Sequence, residues 1–150
     1  MNLTFQGRER IPAPRATVWA FINDPEAIAS CMPDVISTTI RGPHAFEVVV
    51  RVAVGPVKGK FTFKVTLAPS DDASHMGMTI SGGGFGSVVD LPASAEVSDD
   101  PAGGTILDWQ GTATMRGPVA TVGGRVLDAQ AKRVITTTFA NVKSRLSATA

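Results

Sequence analysis

The sequence has 150 residues and a mass of 15.6 kDa, which is the size of one domain, and we expect residues 1–150 to form a single domain. Hydrophobic residues make up 43% and charged residues 18%, a composition that excludes a disordered chain. The net charge of +1 gives no general attraction to nucleic acid, and no apolar run of about 18 residues or more could span a bilayer.

The first part of the chain predicts a strand followed by two short helices. Apolar and polar residues alternate over 3–11, which is typical of a half-buried strand. Apolar residues at helical spacing follow over 15–22. The polar run at 23–26 ends that helix and can cap a second one over 27–31.

From residue 34 to about 115, six further runs alternate apolar and polar side chains and are separated by turn residues. Each run has one apolar and one polar face, which is typical of an antiparallel sheet covered on one side. The last segment, about Pro118 to Leu146, carries a broad apolar face at helical spacing. We therefore expect an α+β fold in which a curved antiparallel sheet wraps around one long C-terminal helix.

Short motifs along the chain occur together in a combination that is typical of one family. They are Phe5-x-Gly7, Ile11-Pro12-Ala13-Pro14, Val18-Trp19, Asn23-Asp24-Pro25, Cys31-Met32-Pro33, Val54-Gly55-Pro56-Val57-Lys58-Gly59, Gly104-Thr105 and Gly117-Pro118-Val119-Ala120. With these motifs the chain resembles the SRPBCC (START-like) superfamily and, within it, the CoxG family of carbon monoxide dehydrogenase subunits. Two features differ: Asp34 stands where the family usually has glycine, and many members continue into an apolar tail, whereas this sequence ends at Ala150.

The resemblance implies a helix-grip fold of the START/Bet v 1 kind, with a cavity between the sheet and the long helix. It also implies a non-enzymatic protein that binds a lipid-like or quinone-like molecule and is accessory to a molybdenum-containing carbon monoxide dehydrogenase or a related hydroxylase. One alternative is an assembly or membrane-recruitment factor that acts through protein contacts, with an incidental cavity. A third interpretation is a cyclase-like or hydratase-like enzyme, which would need an acid or base in the cavity; the predicted inner faces supply none.

Aromatic, methionine and small side chains on the predicted inner faces suit a cavity for an irregular apolar ligand. The same residues could instead fill a packed core. The candidate cavity residues are Phe61, Phe63, Met76, Met78, Phe85, Trp109, Met115, Val134, Thr138 and Phe139. Phe85 lies in a glycine-rich hairpin, which either has no functional role or forms a lid at the cavity entrance.

Few residues could perform chemistry. Cys31 is the single cysteine, and we interpret it as a buried structural thiol rather than a nucleophile. His44 and His75 lie near predicted turns, and the sequence contains no tyrosine. We therefore expect no catalytic residue, no metal site and no cofactor.

Positive charge is concentrated in residues 116–150, which carry six Lys or Arg residues against Asp128 alone. Arg125, Lys132 and Lys143 share the predicted outer face of the long helix. This face is a candidate surface for an acidic partner or for anionic lipid; the alternative is a solvated helix face. Because no secretory signal is visible, we expect a cytoplasmic protein that can bind peripherally at the inner face of the membrane.

Overall fold

The computed structural model describes the backbone of residues 1–149 and the side chains of residues 1–147. The chain forms seven strands, three α-helices and one short 3-10 helix within this range. In order, these are β1 (Asn2–Ile11), α1 (Arg15–Ile22), α2 (Pro25–Cys31), β2 (Val35–Gly42), β3 (Ala45–Val54), β4 (Val57–Pro69), β5 (His75–Gly84), β6 (Ser87–Asp99), β7 (Thr105–Arg116), the 3-10 helix (Pro118–Val122) and α3 (Gly124–Thr149).

The strands form one antiparallel sheet in the order β1-β7-β6-β5-β4-β3-β2. After β1, helices α1 and α2 carry the chain to the opposite edge, and the remaining strands return as a continuous meander. The predicted α+β fold, with a curved antiparallel sheet, two short helices after the first strand and a long C-terminal helix, is confirmed. The alternation of apolar and polar residues gives the strands one face to bury, except in the edge strand β2, whose residues are exposed or half-buried.

The core consists of two clusters of buried side chains that hold α3 at different points. The larger cluster joins α1, α2 and β3–β5 to Val142 and Leu146, near the end of α3. The smaller cluster joins β1, β7 and the 3-10 helix to Leu127, near the beginning of α3. Between these anchors, Val134 and Thr138 are only half-buried. The long helix is therefore held firmly at both ends and packs less tightly against the sheet at its middle.

The expected start of the long helix at about Pro118 is wrong. Pro118–Val122 forms a separate 3-10 helix, and α3 begins at Gly124. Gly123 lies between them with a φ of 106°, which no residue of a right-handed helix adopts. The predicted cap of α2 is present: the Asp24 carboxylate accepts a hydrogen bond of 3.1 Å from the Glu26 amide.

Candidate ligand groove between the edge strand and the long helix

A groove of about 520 Å³ lies between β1, β7 and α3 and is partly open to solvent. We call it the edge groove because β1 is an edge strand of the sheet. Its lining residues are Thr4, Phe5, Gln6, Glu9, Trp109, Asp128, Lys132, Ile135, Thr136, Phe139, Ala140 and Lys143. The groove thus combines aromatic and aliphatic side chains with charged and hydroxyl groups, and its size is in the range of small-molecule sites.

The indole of Trp109 is the largest apolar surface in the edge groove. Its ring centroid lies 5.5 Å from that of Phe139 on α3, with the planes tilted by 30°. On the β1 side the indole lies against Gly7, where a Cβ atom would come within 2.8 Å of Trp109 Cζ2. Glycine is therefore required at position 7 for this close approach. The indole Nε1 is buried and has no hydrogen-bond partner in the described part of the chain.

An ion pair joins the two sides of the edge groove. Lys143 Nζ on α3 donates a hydrogen bond of 2.8 Å to Glu9 Oε1 on β1. Glu9 lies opposite Leu107 and shares the inner face of β1 with Phe5 and Gly7. The expectation that no titratable group lies on an inner face is therefore wrong. An edge strand tolerates this carboxylate because it remains 22% exposed and the helix supplies a counter-ion.

The inner face of the central strands carries small side chains beside large ones. Met78 lies opposite Ala93, and Ala93 lies opposite Gly111. All three residues are half-buried although they face α3 rather than the outside of the sheet. The sheet is therefore less completely covered at these positions than in the two core clusters.

The structure separates the ten predicted cavity residues into four groups. Trp109 and Phe139 line the edge groove. The half-buried ones are Phe63, Met78, Val134 and Thr138, and the ones buried in the two core clusters are Phe61, Met76 and Met115. Phe85 is 70% exposed at the turn between β5 and β6.

The three predicted surface cations have different surroundings. Lys132 pairs with Asp128 one turn earlier on α3, at 2.9 Å. Lys143 pairs with Glu9 and is directed towards β1 rather than away from the sheet. Arg125 is exposed and lines a second, more open groove of about 470 Å³ between the β3–β4 turn and α3. Two of the three charges are therefore already compensated within the protein.

The cysteine and His75, the other candidates for chemistry, lie in surroundings that do not activate them. Cys31 is buried, and this burial raises the pKa of its thiol, so the thiolate is disfavoured. His75 Nδ1 lies 2.6 Å from Glu96 Oε1 across the β5–β6 pair. Within residues 1–149, no three His, Cys, Asp or Glu side chains lie close enough together to hold a metal ion.

Several residues of the edge groove are not among the predicted ones: Phe5, Glu9 and Ile135 are the main examples. The sequence does contain a signal for Glu9, because it interrupts the apolar side of the alternation that runs from Leu3 to Ile11. A carboxylate at such a position needs a counter-ion. The helix residue that supplies this counter-ion depends on how α3 lies across the sheet, and the sequence alone does not give that orientation.

The seven-stranded antiparallel sheet with one long helix packed across it is the START-like, helix-grip fold. The chain is similar to a conserved protein from Geobacillus kaustophilus, with a TM-score of 0.86 and 21% identity over 97% of this chain and 95% of the other. It is also similar to a START superfamily protein from Mycobacterium smegmatis, with a TM-score of 0.74 and 12% identity over 98% and 99% of the two chains. A third similar structure is Ara h 8.0201, with a TM-score of 0.71 and 18% identity over 99% of each chain.

The family can be stated from the sequence match. The model of the CoxG family of carbon monoxide dehydrogenase subunits matches residues 7–147, so the chain belongs to this family and the predicted resemblance is confirmed. No curated protein matches the sequence. Among the described residues, no helix is both long enough and apolar enough to cross a bilayer.

Proposed function

We propose that this protein binds an apolar small molecule between α3 and the sheet, with the edge groove as the site where the ligand enters and its polar end remains. The observation that carries the proposal is the incomplete burial of the middle of α3, whose apolar side chains contact the core there but are fully buried only near the two ends of the helix. Leu127 and Val142 are buried in separate clusters, while Val134 and Thr138 between them are half-buried. A packed core would bury the middle of an amphipathic helix most completely.

The chemistry of the edge groove favours a ligand with a flat or ring-shaped apolar part and a polar end, such as a quinone-like or lipid-like molecule. Trp109 and Phe139 supply aromatic faces, and Ile135 supplies aliphatic surface. Each methylene group removed from water contributes about 0.8 kcal/mol, so a hydrocarbon chain can bind with few polar contacts. Glu9 and Lys143 at the rim suit the polar end of the ligand.

Family membership supports a role as an accessory protein of a carbon monoxide dehydrogenase or a related molybdenum hydroxylase. In this role the protein would carry its ligand to or from the enzyme without a chemical step of its own. The titratable groups at the groove are compatible with this role, since Glu9 and Lys143 neutralise each other. The competing role, as an assembly factor whose cavity is incidental, predicts that filling the groove leaves its function intact.

The test is to fill the edge groove from the helix side. Ala140 is exposed, lies in α3 and lines the groove, so Ala140→Trp adds a ring there without disturbing a buried position. We expect this variant to lose at least about tenfold in affinity for the fluorescent apolar probe N-phenyl-1-naphthylamine, because the indole occupies the volume that the probe needs. The measurement is a fluorescence titration of purified protein.

Ser144→Trp is the matched control, because Ser144 is an exposed residue of α3 outside the groove lining. It should bind the probe as the native chain does.

Mass spectrometry of an organic extract of protein from its native host then identifies the natural ligand. If Ala140→Trp and native protein bind the probe equally, the groove is not the binding site; an extract without any stoichiometric lipid or quinone, repeated after incubation with host membranes, contradicts the carrier role.

A further inference from the structure

One end of the molecule combines exposed apolar side chains with cations that lack acidic partners. We call it the hairpin end and define it by residues 55–60 of the β3–β4 turn, residues 85–88 of the β5–β6 turn, residues 116–118 after β7, and residues 125–126 at the start of α3. Contacts between these segments make them one surface. The ring of Phe85 lies over Gly59, Gly86 lies beside Pro118, Val88 pairs with Arg116, and Gly55 shares the second groove with Arg125 and Val126.

Three large apolar side chains of the hairpin end are exposed to solvent. Phe85 is 70% exposed, Val126 49% and Val88 39%. Phe85 also has a φ of 54°, and Gly86 follows with 82°, so both central residues of this two-residue turn have positive φ. Asn-Gly is the favoured sequence for such a turn, and phenylalanine is not. Phe85 is unfavourable for the turn and remains largely exposed despite its contact with Gly59, which points to a role outside folding.

The cations of the hairpin end are largely uncompensated. Lys58, Lys60 and Arg125 have no ion-pair partner among the described residues. Arg51 and Lys60 lie directly opposite each other on neighbouring strands, an arrangement of like charges that weakens a sheet. In contrast, the α3 cations Lys132, Arg133 and Lys143 each have an acidic partner. Three cations without an acidic partner are therefore grouped at the hairpin end, two on β4 and one, Arg125, at the start of α3.

The acidic residues of the turns lie at the other end of the sheet. An antiparallel meander places alternate turns at opposite ends, so the β4–β5 and β6–β7 turns are far from the hairpin end. These two turns contain Asp71, Asp72, Asp99 and Asp100. Asp99 and Asp100 pair with Arg15 and Arg10, whereas Asp71 and Asp72 have no ion-pair partner among the described residues. The unpaired charges of the turns are therefore negative at that end and positive at the hairpin end, so a negatively charged surface would attract the molecule with the hairpin end leading.

We propose that the hairpin end docks on an anionic phospholipid bilayer. Phe85, Val88 and Val126 enter the boundary between headgroups and acyl chains, while the neighbouring cations contact the phosphates. An acidic protein surface would use the cations but would not need a protruding aromatic ring on an unfavourable turn, so these observations favour lipid. The proposal rests on this surface alone and does not require that the edge groove hold a ligand.

The first test removes the aromatic ring while improving the turn. Phe85→Asn creates the favoured Asn-Gly turn, so the melting temperature should stay the same or rise. Binding to vesicles of phosphatidylcholine with about 30% phosphatidylglycerol should fall at least about tenfold, because the ring no longer enters the bilayer. The measurement is co-sedimentation of the full chain with these vesicles. Phe85→Gly, which also suits positive φ, serves as a second variant.

Ile40→Thr is the control, since Ile40 on β2 is an apolar residue as exposed as Val126 but lies near the opposite end of the sheet. It should leave vesicle binding unchanged. Lys58→Gln and Lys60→Gln should each weaken binding roughly fivefold, whereas Lys64→Gln, further along β4, should not. Raising the salt to about 0.5 M should weaken binding of the native chain.

Several results would overturn the proposal. The native chain could fail to bind anionic vesicles, or could bind pure phosphatidylcholine vesicles equally well. Unchanged binding by folded Phe85→Asn protein would exclude the turn as a contact. Salt-sensitive capture of the chain by an acidic protein, without any binding to vesicles, would assign the cations to a protein partner instead. Since the probe titration of Ala140→Trp does not involve vesicles, failure of this proposal is distinguishable from failure of the proposed ligand binding.

Discussion

Asp34 has a left-handed backbone conformation that few residues other than glycine adopt. It follows Cys31-Met32-Pro33, where glycine is usual, and its φ is 63°. Aspartate tolerates this left-handed conformation better than most residues. Its carboxylate also receives a hydrogen bond of 2.7 Å from Arg133 on α3. The side chain therefore links α3 to the start of β2.

Substitutions at Asp34 should separate the backbone contribution from the ion pair. Asp34→Ala should lower the free energy of unfolding by about 1–2 kcal/mol, because alanine disfavours positive φ and the contact with Arg133 is lost. Asp34→Gly should cost less than about 1 kcal/mol, since glycine accepts this φ and the exposed ion pair contributes little. Urea unfolding at neutral pH measures both. If the alanine and glycine variants are equally stable, the positive φ does not constrain this position.

Individual contacts in the edge groove are the part of the structure that the sequence predicts least completely. The aromatic pair Trp109 and Phe139 could be predicted, because each lies on the apolar face of a clearly periodic element. Gly7 stands out in the sequence only as part of a motif, whereas its physical reason is the indole packed against it. Such a contact joins residues about a hundred positions apart, and periodicity carries no information about it.

At the scale of elements, the strands and their antiparallel arrangement follow from the alternation of side chains. Boundaries depend on single residues: the helix expected from Pro118 instead starts at Gly124, because Gly123 adopts a positive φ. The turn aspartates have clear local roles. Asp72 accepts hydrogen bonds from the Ser70 and Ser74 hydroxyls, and Asp100 accepts one from the Ala102 amide.

The hydrogen bonds in these two turns should make the free energy of unfolding depend on pH in the acidic range. Hydrogen bonds from Ser74 and Ser70 lower the pKa of Asp72. The pKa of Asp100 is lowered mainly by the hydrogen bond from the Ala102 amide and, to a smaller extent, by the hydrogen bond from Arg10. A carboxylate whose pKa is lower in the folded state stabilises the fold above its unfolded-state pKa of about 4. This contribution is lost as the pH falls through the folded-state value.

The measurement is urea unfolding at several values between about pH 5 and pH 2, for the native chain and for the double variant Asp72→Asn/Asp100→Asn. We expect the native chain to lose stability faster than the variant over this range. Asp71→Asn is the control, since the serine hydroxyls and amide of this turn donate to Asp72 rather than to its neighbour, and this variant should keep the native slope. Equal slopes for native and double-variant protein would show that these turns do not sense pH.

At the scale of the whole molecule, the space beneath α3 results from where the helix is anchored. The sequence identifies the apolar face of the helix, but it does not give the distance between the helix and the sheet. That distance is set jointly by Leu127 at one end and by Val142 and Leu146 at the other. This is why the fold class and the order of the elements could be predicted, while the edge groove, which depends on that distance, could not.

The Glu9–Lys143 pair is the charged link between the edge strand and the helix at the groove, across 134 positions of sequence. It should contribute a coupling free energy of about 0.5–1 kcal/mol, because both groups remain partly exposed and are screened. A double-mutant cycle with Glu9→Gln and Lys143→Met, followed by urea unfolding, measures this coupling. Lys132→Met with Asp128→Asn gives a comparison pair within a single helix, where about 0.3–0.5 kcal/mol is expected.

Because the pair joins the two walls of the edge groove, its loss should also change ligand access. We expect Lys143→Met to raise the association rate of N-phenyl-1-naphthylamine, since β1 and α3 are no longer held together at the rim. Lys132 also lines the groove but its ion pair does not cross it, so Lys132→Met should leave the rate nearly unchanged. Stopped-flow fluorescence measures both rates. Identical rates for native protein and Lys143→Met would show that the pair stabilises the fold without controlling entry.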